Sequence, residues 1–67
     1  MKILRILEEK KKKKEIKYID IAVALNITKQ CFYWHLKNLK KGRISFSVEQ
    51  IKKICQFLNE DISNFFE

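Results

Sequence analysis

Apolar residues recur along this chain at helical intervals, separated by short polar links. Ile3, Leu4, Ile6 and Leu7 form one broad stripe over residues 2–9, with Glu8 and Glu9 off it. Residues 17–25 (KYIDIAVAL) are apolar nearly all round, which predicts a largely buried helix. Phe32, Leu36 and Leu39 fall within about 60° of one another on a helical wheel. Ile51, Ile54 and Leu58 repeat the spacing, and Ile62, Phe65 and Phe66 close the chain. The boundaries carry their own signals. Asn26 and Asn59 tolerate the left-handed conformation that ends a helix, and Thr28 and Asp61 are good N-caps for the next helix in each case. Ser47 and Gln50 have the spacing of a capping box. Together these predict five helices, near 2–13, 17–25, 28–40, 47–58 and 61–66, in an all-α, compact bundle of four to five helices.

Composition sharpens this picture. The chain has 67 residues, no Pro and one Gly, which disfavours strands joined by tight turns. Its length makes one domain over 1–67, and a domain near this size buries only about 60% of its unfolded surface, leaving little room for a substrate cavity. With 46% hydrophobic residues it is not a disordered polybasic tail. MKILRIL is too short, and too soon followed by Glu8 and Glu9, for a signal peptide, and no run approaches a membrane span. Two cysteines in a chain of this kind read as reduced thiols. The expectation is a soluble, intracellular protein.

The charge, +7 overall, is unevenly placed. Residues 1–20 carry eight bases and four acids, residues 21–48 five bases and no acid, and residues 49–67 two bases and four acids. An acid-free stretch of 28 residues suggests a side that faces a polyanion. The run Lys10–Lys14 reads either as a solvated, self-repelling link or as a phosphate-contacting patch.

The segment 28–40 carries the chemistry. Opposite its apolar stripe lie Gln30, Trp34, Lys37 and Lys41, with Tyr33 and Asn38 at the edges. Gln can pair bidentately with adenine, Lys can reach guanine or phosphate, and Tyr can meet a phosphate or a thymine methyl. A face needing only solubility mixes Glu with Lys and packs its Trp away, the plainer alternative here.

With those residues in view, Ile16 through Phe66 resembles the helix-turn-helix family of phage repressors and Cro-type regulators. IDIAVALNITKQCFYWHL is similar to the family's two-helix core. Ala22 matches the small residue where the helices cross, Asn26 replaces the usual Gly, Ile27 and Phe32 match the apolar anchors, and Thr28 the cap. SVEQIKKICQFLNEDISNFF resembles the family's fourth and fifth helices. The resemblance implies a lambda-repressor-like DNA-binding domain that sets helix 28–40 in the major groove. By position it implies base contacts from Lys29, Gln30, Tyr33, Trp34 and Lys37. Thr28, Lys40, Lys41 and Arg43 are then the backbone contacts, with Tyr18 where many members carry a phosphate-touching Gln. It further implies duplex DNA with a palindromic operator as partner, a nucleoid-associated cytoplasmic location, and a homodimer through Ile62, Phe65 and Phe66, the alternative being that these residues pack on the first helix. Ile19 and Val23 face outward in the family's second helix.

Other readings are weaker. TKQCFYWHLKNLKKGRI also resembles the recognition helix of small winged-helix repressors, but that form needs a β-hairpin after Gly42, and ISFS lacks its turn residues. A protein-binding module, such as an antitoxin or inhibitor, would use Tyr33 and Trp34 as anchors. A polybasic membrane-surface protein would use only the lysine run. Cys31 and His35 have a metal-ligand spacing that Cys55 could join, yet both flank the apolar stripe and read as a buried thiol and a core imidazole. Neither a metal, a cofactor, a small-molecule substrate nor catalysis is indicated.

Overall fold

The computed structural model describes residues 2–65, and among them it contains four α-helices, one 3-10 turn and no strand. Helix α1 spans Lys2–Lys12, α2 Tyr18–Ala24, α3 Lys29–Lys40 and α4 Val48–Leu58, and the 3-10 turn is Ile62–Phe65. Four of the five expected helices are therefore present in order, with ends moved by a residue or so, and the fifth, expected near 61–66, is a 3-10 turn over its described residues. None of the described helices is long and apolar enough to cross a membrane.

Helix α1 buries Ile3 and Leu7 and carries Lys10, Lys11 and Lys12 in its last turn, where cations meet the negative end of the helix dipole. The chain then reverses at Lys14, whose φ is 62°, with the Lys14 N–H on the Lys11 carbonyl and the Glu15 N–H on the Lys10 carbonyl. The lysine run is thus half helix and half turn. Helix α2 buries Tyr18, Ile21 and Ala22, while Ile19, Asp20, Val23 and Ala24 are exposed. This corrects the expectation, drawn from its all-round apolar pattern, that 17–25 is largely buried. One face of α2 has no neighbour, because α3 and α4 pack on the other, and Val23 is 70% exposed.

The link from α2 to α3 is four residues long, Leu25 to Thr28, and built on its sequence. Asn26 adopts φ 60°, and the Ile27 N–H returns to the Ala22 carbonyl at 3.0 Å. Thr28 then accepts the Cys31 N–H on its hydroxyl at 3.0 Å and starts α3. Ala22 is fully buried at this corner, and its lack of bulk lets α2 and α3 make the most extensive contact between elements. Helix α3 buries Phe32, His35, Leu36 and Leu39. It ends at Gly42, whose φ of 82° is left-handed and favours glycine, and the Arg43 N–H closes the turn on the Asn38 carbonyl.

No strand comes after Gly42, so the hairpin that a winged helix needs is not among the described residues. Instead residues 43–47 cross the end of the core. Phe46 is buried, and its ring stacks on His35 with centroids 4.3 Å apart. Ser45 Oγ lies 2.6 Å from His35 Nδ1 and accepts from Asn38 Nδ2 at 3.1 Å. Ser45 thus joins His35 and Asn38, both on α3, to the loop that follows it. Burial holds the His35 pKa below its ordinary value. Ser47 and Gln50 form the expected capping box at the start of α4. Asn59 ends α4 with φ 56°, and Asp61 accepts the Ser63 N–H at 2.9 Å to open the final turn.

That final turn corrects part of the expected dimer surface. Phe65 is fully buried, packed against α1 and α4 with its ring edge-on to Phe46 at 6.3 Å. A side chain spent on the monomer's core offers nothing to a second copy. Ile62 is 38% exposed, and Phe66 lies outside the described residues.

The packing has two measurable consequences. Phe65→Ala should cost about 3–5 kcal/mol in urea unfolding, the usual range for a buried Phe, and a loss under about 1 kcal/mol would place the ring outside the core. His35 adds a pH dependence. With its folded pKa below 6.5, the unfolded chain binds more protons between the two values. Stability is therefore full above the unfolded value and falls as pH drops from about 7.5 toward 5. Asp61 titrates below that window, and Tyr18 and Cys55 above it, so His35→Gln should flatten the profile there.

Candidate nucleic-acid interface

With Phe32, Leu36 and Leu39 turned inward, the helical repeat fixes what α3 shows outward. Lys29, Gln30, Tyr33, Trp34 and Lys37 are all exposed, Trp34 by 57% and Tyr33 by 36%. All five residues expected at base edges thus share one accessible side of one helix. Thr28 sits at its N-terminus, where free N–H groups and the dipole favour an anion. Lys40, Lys41 and Arg43, expected on the DNA backbone, are exposed at its far end and in the turn beyond it. No acidic residue lies in α3.

Comparison with protein-family models, with curated proteins and with solved structures finds no match for this chain. The interface therefore stands on its own geometry.

One expected contact moves inward. Tyr18 is only 7% exposed, with its ring 5.3 Å from Phe32 and 5.8 Å from Tyr33. Burial raises its phenol pKa, and Glu8 and then Tyr33 add to the rise. Tyr18 is thus a support rather than a free contact to phosphate. What it supports is a lysine: Lys11 Nζ stands 4.3 Å from the Tyr18 ring centre and 5.6 Å from that of Tyr33, and Lys29 Nζ stands 5.8 Å from Tyr33 on its own helix.

Two hollows meet at this point. One, of about 650 Å³ between α1 and α3, is lined by Lys11, Lys12, Lys37 and Lys40, together with Leu4 and Glu8. The other, of about 380 Å³, is lined by Lys11, Lys14, Lys17 and Lys29 beside Ile16 and Ile19. Tyr18 and Tyr33 border both. The lysine run thereby stands next to α3, which the linear pattern left open. The signal was present: Lys11 lies seven residues from Leu4, two turns along the same line of α1, so it continues the apolar stripe toward the core.

Cys31, His35 and Cys55 do not converge. His35 is committed to Ser45 and Phe46, Cys55 is buried on α4, and both thiols are free. Among the described residues no three His, Cys, Asp or Glu side chains are placed to share a metal ion.

Proposed function

We propose that this chain is a sequence-specific duplex-DNA-binding regulator in which α2 and α3 act as a helix-turn-helix and α3 lies in the major groove. The observation that carries the reading is the outward side of α3: Lys29, Gln30, Tyr33, Trp34 and Lys37 exposed together on a helix without a single acid. An α-helix is about 10–12 Å across with its side chains, which fits a major groove about 12 Å wide. Gln30 and Lys37 supply groups that read base edges, and Thr28, Lys40, Lys41 and Arg43 supply contacts that hold the backbone. Regulation then acts by occupying an operator and excluding the polymerase, as the Cro-type resemblance implies.

A second reading is favoured by one observation. Trp34 is 57% exposed and Tyr33 lies beside it, a pair suited to anchoring a protein partner. Selection from random duplex DNA separates the two. A recurring consensus supports the DNA reading, whereas no enrichment together with a protein partner lost on Trp34→Ala supports the other.

Within the DNA reading, Gln30→Ala should relax sequence preference, by about 1–3 kcal/mol of discrimination at one base position. Lys40→Ala should weaken every duplex by a similar factor. Equal losses on all sequences from both changes would refute this division of labour. A palindromic consensus requires two copies of the chain, and of the expected dimer residues Ile62 is the one with exposed described surface. A light-scattering mass of one chain at high micromolar concentration, without DNA, would remove the homodimer from this proposal.

A further inference from the structure

Seven lysines from two separate parts of the chain converge on Tyr33. Lys11, Lys12, Lys14 and Lys17 come from the end of α1 and the turn after it, and Lys29, Lys37 and Lys40 from α3. Folding gains nothing from this arrangement, because like charges brought together repel. Partial relief comes from the rings of Tyr18 and Tyr33 under Lys11, and Glu8 is the one carboxylate lining either hollow. Lys12, Lys14, Lys17, Lys37 and Lys40 have no ion-pair partner among the described residues. A polyanion is what such a surface lacks.

We infer that the end of α1 and the turn to Lys17 form a second DNA-backbone contact, a strip that grips the phosphates along one wall of the major groove while α3 occupies its floor. This rests on the DNA reading above and extends it to residues outside the α2–α3 unit. The strip lies on the Tyr33 flank of α3 only. Tyr33 sits about 100° round the helix from the buried Phe32, on one edge of the outer face, whereas Trp34, at about 200°, lies near the middle of that face. A helix that fills the groove turns its flanks toward the two backbones. Lys11 is held in place by two rings before DNA arrives, so its charge is presented at low cost in side-chain freedom. The other lysines of the strip add charge without fixed geometry, as non-specific phosphate contacts require.

The experiment measures duplex affinity against salt for the parent, for Lys11→Gln/Lys14→Gln, and for Lys52→Gln/Lys53→Gln. The last pair removes the same charge from α4, where neither residue lines either hollow. Each phosphate contact contributes about 0.9 to the slope of log affinity on log salt. Lys11→Gln/Lys14→Gln should therefore flatten the slope by about 1.8, and shrink the loss of affinity between 50 and 200 mM salt by about ten-fold. It should weaken selected and random duplexes alike and keep a melting temperature at or above that of the parent. The α4 variant should leave the slope unchanged. A parent that binds duplex with a slope unmoved by Lys11→Gln/Lys14→Gln, or moved equally by the α4 variant, overturns the strip while the DNA reading survives. A parent that binds no duplex overturns both.

Discussion

Phe32 is fully enclosed, its ring 5.3 Å from that of Tyr18 and 6.0 Å from that of Phe46, and the rotation of α3 about its own axis is set by this contact. Successive residues on a helix are about 100° apart, so slipping α3 by one residue would bring Tyr33 inward and turn Phe32 into solvent. Leu36 and Leu39 agree with Phe32 on which side is inside, and the outward set is then determined. The same ring reaches farther through Phe46, which stacks on His35 and meets Phe65 edge-on. Thus the loop 43–47 and the final 3-10 turn hold the helix whose outer face is the candidate interface. Neither segment contributes a candidate base contact of its own.

That economy matters because the chain is short. A 67-residue protein has little surface to bury, and two free cysteines add no cross-link. Large rings compensate, since each aromatic buries more area than an aliphatic side chain and gains from edge-on and offset contact. The polar groups near the core are also accounted for: no buried side-chain nitrogen or oxygen among the described residues lacks a hydrogen-bond partner. His35, Ser45 and Asn38 form the main such cluster, and they tie the loop to the same helix that Phe32 orients.

Most of the fold is legible in the sequence where local chemistry and global packing agree. Thr28, Ser47 and Asp61 each cap the element that begins beside them, and Asn26 and Asn59 take the left-handed conformation, because each side chain acts within three residues of itself. The outer face of α3 is legible for a related reason: a single apolar stripe fixes a helix's rotation. What pattern alone misjudged depends on neighbours. Residues 17–25 look apolar on every side, yet α3 and α4 cover only one side of α2 and leave Ile19 and Val23 bare. Phe65 reads equally well as core or as dimer surface until the turn at Asn59 and Asp61 sets its direction. Tyr18 reads as a surface contact until Phe32 and Lys11 close over it. The partnership of the lysine run with α3 joins positions some twenty residues apart, and the seven-residue step from Leu4 to Lys11 along α1 is its one local trace.

The lysines also set fold and interface against each other. The stability of the free chain is reduced by the repulsion among charges gathered near Tyr33, and any spreading of those charges, or an added acid, would relieve it. In the proposed DNA reading, binding to a polyanion would remove the same repulsion, so part of the free energy of association would be work already done by folding. Salt then acts with opposite sign on the two processes: screening eases the repulsion within the free chain and weakens its attraction for phosphate. Apolar burial, being insensitive to modest salt, must carry the fold across that range. This explains why the inner side of α3 is wholly apolar apart from a neutral, hydrogen-bonded histidine. A charged group there would make the orientation of the helix depend on the same ionic conditions that govern its outer face, and the two functions of one helix would no longer be separable.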